Sequence, residues 1–166
     1  ARVTFPAETE KLEEAIKQHT TRIEIHIPRA GSYLSEQKEV CPLNYDPTGV
    51  LKIKQLCIKH SVGNERGYWR TALEALLPFI CRAQNLQQIT LSHGIVEELL
   101  PIIAKKTKII VDCSCAYTPT DTIYPQEYLN AIREIEAAEI AEKYPDRNIL
   151  VLKAANTEDL FSKGKF

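Results

Sequence analysis

From Arg22 to Pro28 the chain alternates strictly, with Ile23, Ile25 and Ile27 on one side and Arg22, Glu24 and His26 on the other. A period of two is that of a half-buried strand, so one face of it meets solvent or a ligand. Just before it, Glu8 to His19 places Leu12, Ala15, Ile16 and His19 at helical spacing, with Thr9 available as a cap. Beyond it, Ala30 to Gly49 gathers Gly31, Pro42, Asn44, Asp46, Pro47 and Gly49, a turn-rich composition that predicts a long excursion between strands. Loops of that length often serve function.

After the excursion, strand and helix patterns take turns. Val50 to Ile58 reads as a strand. The spacing of Leu73, Leu76, Leu77 and Ile80 predicts a helix from Gly67 to Gln84, followed by a strand from Leu86 to Leu91. Val96, Leu99, Leu100 and Ile103 predict another helix from Ile95 to Lys105. Ile109, Ile110 and Val111 are consecutive and β-branched, as in a strand buried on both faces. A helix from Gln126 to Lys143, a strand from Asn148 to Leu152 and a short helix from Thr157 to Phe161 complete the order. Pro78 and Pro101 are expected to kink or interrupt their helices, and no internal repeat stands out. Such alternation points to one α/β domain spanning residues 1–166, with a mixed, mostly parallel sheet and helices on both faces.

Composition narrows the class. A hydrophobic fraction of 44% with 26% charged residues is that of a folded globule. The formal charge of -1 lacks the basic excess of a dedicated nucleic-acid binder, so nucleic acid is not an expected partner. Apolar runs such as Leu76 to Cys81 are too short to cross a bilayer. Cys41, Cys57, Cys81, Cys113 and Cys115 form an odd set without regular spacing, which favours reduced thiols and a cytoplasmic setting over a disulfide framework.

The chemistry-bearing stretch runs from Cys57 to Trp69. A strand that enters a glycine-containing turn and then a helix leaves backbone N–H groups without acceptors, and these favour a phosphate or carboxylate. Gly63 and Gly67 permit close approach, and Lys59, His60, Arg66 and Arg70 add positive or protonatable groups. The same stretch also fits an ordinary strand-to-helix loop capped by Asn64.

Asn64-Glu65-Arg66-Gly67-Tyr68-Trp69, with the strands and helices from Val50 to Asp112, resembles the core of the Gcn5-related N-acetyltransferase (GNAT) superfamily. The family's turn reads Gln/Arg-x-x-Gly-x-Gly/Ala and cradles the cofactor pyrophosphate. Gly67 matches it, Asn64 stands where the family has Gln or Arg, and Trp69 where it has a small residue. The resemblance implies a CoA-dependent N-acyltransferase holding acetyl-CoA or another acyl-CoA through Gly63, Asn64, Arg66, Gly67 and Tyr68. His60 would then take the proton of an amine, and Tyr117 would protonate the leaving thiolate.

Two other readings compete. Asp112 and Cys113, with His93 at the end of the neighbouring strand, suggest a Cys/His nucleophilic pair. The Cys113-x-Cys115 spacing is not that of a zinc site, and no metal is expected. The second reading is a non-catalytic protein-binding module, an inhibitor or neutralising partner, with Tyr68, Trp69, Arg66 and Arg70 as interface anchors. No Gly-x-Gly-x-x-Gly or P-loop pattern supports a nucleotide-binding domain.

Overall fold

In a computed structural model of the protein, residues 1–28, 43–60, 66–113 and 126–152 are described, with the backbone alone at 66–69, 93 and 126–130. The chain runs β1 (Arg2–Thr4), α1 (Thr9–Lys17), β2 (Arg22–Ile27), α2 (Pro47–Val50), β3 (Gln55–His60), α3 (Arg66–Arg82), β4 (Gln88–Ser92), α4 (Val96–Leu99), β5 (Lys108–Asp112), α5 (Gln126–Lys143) and β6 (Ile149–Leu152). The protein is α/β, as expected. Its six strands form one sheet in which every pairing is parallel and the spatial order is the chain order, β1 to β6.

That order decides where the helices go. Each parallel pair needs a crossover, and right-handed crossovers that always step in one direction lie over the same face. A doubly wound sheet acquires its second helical layer by reversing strand order, and this sheet never reverses. Among the described residues that order therefore lays the crossovers over one face of the sheet. Burial agrees: Ile23, Ile25, Ile27, Leu56, Ile58, Ile89, Leu91, Ile109 and Val111 share one strand face, each no more than 2% exposed. They pack with Leu12, Ile16, Leu73, Leu76, Phe79, Val96 and Leu99 in one core. The alternate strand positions face the other way and are mostly part-exposed or exposed.

The strands are in step. Arg22, Gln55, Gln88 and Lys108 lie side by side, and so do Ile23, Leu56, Ile89 and Ile109. Each of these strands opens polar, aliphatic, any, aliphatic, which is a structural repeat. It escapes a search for a fixed period because equivalent residues are 33, 33 and 20 positions apart. The arrangement is that of an open α/β solenoid, in which each strand leans chiefly on its neighbours.

Local chemistry explains the element ends. Thr9 does not cap α1. Its hydroxyl donates to the Pro6 carbonyl at 2.6 Å, and Glu8 occupies the cap position. The helix closes with His19 at φ 58°, its N–H bonded to Ile16 O and that of Thr20 to Ala15 O, the paired bonds of a Schellman end. Asp46 caps α2 by accepting from the Gly49 N–H at 2.9 Å. Gly49 is where α2 meets α1, because a Cβ there would collide with the Ile16 carbonyl.

Several expected boundaries move. The strand foreseen from Val50 starts at Gln55, since Pro47–Val50 is helical. Helix α3 continues through Pro78, whereas Pro101 does interrupt. The helix expected from Ile95 to Lys105 is one α-turn, α4, flanked by 3-10 turns at His93–Ile95 and Leu100–Ile102. Strand β1 had no counterpart in the reading of the pattern, and the short helix from Thr157 to Phe161 lies outside the described residues. No helix among the described residues is long and apolar enough to cross a membrane.

Candidate functional site

The face of the sheet away from the helices is lined in rows, because side chains two apart on a strand share a face and the strands are in register. One row runs Arg22, Gln55, Gln88, Lys108. The next runs Arg2, Glu24, Cys57, Thr90, Ile110 and Leu150. Side chains from β2 to β6, Arg22, Glu24, Cys57, Lys59, Thr90, Asp112 and Leu152 among them, border one concavity of about 220 Å³.

Two ion pairs organise the hollow. Arg2 Nε lies 3.2 Å from Glu24 Oε2. Deeper, Lys59 Nζ lies 3.1 Å from Asp112 Oδ2, with the carboxylate side chain only 5% exposed. Asp112 pairs with Ser92 on β4, so Lys59 on β3 must reach across that strand, a span of about 10 Å at the usual strand spacing. Burial alone would lower the Lys59 ammonium, but the hydrogen bond and charge of Asp112 outweigh it and hold its pKa above the ordinary value. His26, beside Lys59 on β2, is pushed down by burial and by the Arg2 and Lys59 cations, with Glu24 partly opposing.

Cys57 and Cys113 are poorly suited to nucleophilic work. Burial pushes the Cys57 thiol up to about 11, with Lys59 only partly opposing. Cys113 is pushed up to about 11 by burial first and then by the charges of Glu134 and Asp112. Its sulfur lies on the core side, 3.7 Å from the Arg133 carbonyl, while Asp112 turns to the concavity. Successive strand residues point to opposite faces, so Asp112 and the enclosed Cys113 lie on opposite sides of the sheet. The His93 side chain lies outside the described residues. Among the described residues no group of three His, Cys, Asp or Glu side chains could hold a metal ion.

The residues expected around the glycine turn are only partly placed. His60 ends β3 on the core side and is 5% exposed. Its N–H donates to Ser92 Oγ at 3.1 Å, and a Cβ on Gly94 would lie 3.5 Å from its ring. Arg66, Gly67 and Tyr68 form the first turn of α3, whose amides a helix does not bond internally. Gly63, Asn64 and Tyr117, and the side chains of Arg66, Tyr68 and Trp69, lie outside the described residues. Described geometry therefore brings together Arg2, Glu24, His26, Cys57, Lys59, Thr90 and Asp112; the sequence marks Glu24 and His26 as an open strand face and Lys59 and Asp112 as candidate chemistry, but does not join them.

Fold and site together define a class: a single-sheet parallel α/β solenoid with one ion-paired face that no helix covers among the described residues. Comparison with protein-family models, curated proteins and solved structures finds no match.

Proposed function

We propose that the chain is a non-catalytic protein-binding module that offers the uncovered face of its sheet to a partner protein. The observation that carries this reading is the concavity bordered by five strands, where charged and amide side chains stand beside Ile110 and Leu152 on rigid elements. Strands in register hold side chains more firmly than loops do, and a surface of amides, hydroxyls and prearranged ion pairs suits recognition of another polypeptide. The chemistry of the face is consistent with this, since burial pushes its Cys57 thiol up to about 11, away from a reactive thiolate. Cys57, Cys81 and Cys113 are free thiols, in keeping with a reducing, cytoplasmic setting for such a module.

The test compares proteins retained from cell extract by the wild type, by Thr90→Arg at the centre of the hollow, and by Glu142→Arg on exposed helix α5. A partner lost with Thr90→Arg and kept with Glu142→Arg supports the reading. Retention unchanged by Thr90→Arg refutes it. Melting in the presence of acetyl-CoA separates the acyltransferase alternative, because a ligand of the folded state raises the melting temperature with its concentration.

A further inference from the structure

We infer that the edge of the sheet where the strands begin is a docking rim for an acidic polypeptide segment. The Lys54 N–H donates to Thr21 O at 2.8 Å, Gln87 N–H to Lys54 O at 2.8 Å, and Lys108 N–H to Gln87 O at 3.0 Å, which stitches the strand entrances into one continuous edge. A hollow of about 320 Å³ opens there between Lys54 and Lys106, with Asn85 and Gln87 on its wall. Arg22, Lys52, Lys54, Lys106 and Lys108 all belong to this edge, and among the described residues none of them is paired with a carboxylate. Asp146, the acid just before β6, is already answered by Lys105 at 3.1 Å.

Five uncompensated cations on a chain whose formal charge is -1 amount to a segregated field, of the kind that steers an oppositely charged partner. Helix dipoles account for part of it, since Lys52 and Lys106 follow helical turns. They do not account for Arg22 and Lys108, which open strands, or for Lys54, which immediately precedes one. Arg22 to Lys108 spans three strand spacings, about 14 Å, the length of roughly four extended residues. The amides of Gln55, Gln87 and Gln88 lie between the cations, where they can both donate to and accept from a peptide backbone. Cations alone would serve any anion, but amides that pair with a peptide backbone favour carboxylates carried on a polypeptide.

The rim goes beyond the open-face reading and fails separately from it. The test is fluorescence anisotropy with a labelled decaglutamate peptide at low salt. The wild type binds it, Lys54→Glu with Lys106→Glu weakens binding at least about tenfold, and Lys11→Glu, near the opposite end of α1, changes nothing. Lys54→Gln with Lys106→Gln gives a smaller loss in the same direction and carries the test if the charge reversal fails to fold. No binding by the wild type, an equal loss in Lys11→Glu, or tighter binding of a single-stranded oligonucleotide of equal charge overturns the proposal.

Discussion

Replacing Lys59 by Met keeps most of the side-chain stem and removes the ammonium that faces Asp112. At 3.1 Å the pair is in contact, and at an effective dielectric near 20 the gross attraction is about 5 kcal/mol. Most of that is offset by desolvation, and the two partners differ: Asp112 is 5% exposed and Lys59 34%. The pair is therefore intermediate between a surface bridge worth up to about 1 kcal/mol and a buried one whose breakage costs about 3–5 kcal/mol. Asp112 keeps other partners, so Lys59→Met is expected to cost about 2 kcal/mol. For a chain of this length that corresponds to a melting temperature lower by roughly 4–8 °C. Urea denaturation of the wild type, Lys59→Met, Asp112→Asn and the double variant gives the coupling directly. A coupling below about 0.5 kcal/mol would show that the pair is an ordinary surface contact and refute the claim that it organises the concavity. The pH dependence is a second check. A raised folded pKa means that the contribution of Lys59 is fully present below its ordinary value of 10.5 and is lost as pH climbs through the folded value.

Three further outcomes follow from the same structure. Gly49→Ala forces a methyl group against the Ile16 carbonyl, which backbone cannot easily yield, and should cost about 3 kcal/mol, read as a lower urea midpoint at unchanged slope. His26 is held below its ordinary value of 6.5 by burial first, so its folded form favours the neutral ring. Its contribution is present above that value and is lost as pH falls through the lowered folded pKa, and melting curves of His26→Gln between pH 4 and 7, roughly, should show a shallower acid decline than the wild type. Among Cys57, Cys81 and Cys113, the exposed Cys81 should take up iodoacetamide first at about pH 8, since both other thiols are pushed up to about 11. Peptide mapping by mass spectrometry gives the order.

Much of the core was legible, and the arrangement of the strands was not. Ile23, Ile25 and Ile27 announce a buried face by alternation alone, and the helices carry their apolar stripes openly. Strand order depends on contacts between residues tens of positions apart, and no local pattern encodes it. The open face was half visible: Arg22, Glu24 and His26 show it on β2. On β5 the run Ile109-Ile110-Val111 conceals it, because an aliphatic residue, Ile110, stands at a part-exposed position lining the hollow. Lys59 drew attention as a possible anion ligand beside the glycine turn. Its side chain instead crosses β4 to Asp112, a distance set by the sheet and invisible in spacing along the chain.

Both proposed surfaces are consequences of one topological fact. Because the strand order never reverses, every connection returns over the same face, so among the described residues the core forms on that side and the other carries mostly polar side chains, with Ile110, Leu150 and Leu152 toward its β6 end. The same monotonic order points every strand one way and gathers the helix ends at the strand-entry edge, where Lys17, Arg82 and Lys143 complement the carbonyl ends of α1, α3 and α5. A basic edge is thus partly built in by the fold. What the fold does not require is the further placement of Arg22, Lys54 and Lys108 at the strand openings. Like-charged neighbours repel, and clustering them lowers stability unless a partner offsets the repulsion. If they serve no partner, neutralising Lys54 and Lys106 should raise the melting temperature and affect nothing else; if they serve one, the same change should raise it while weakening the acidic peptide.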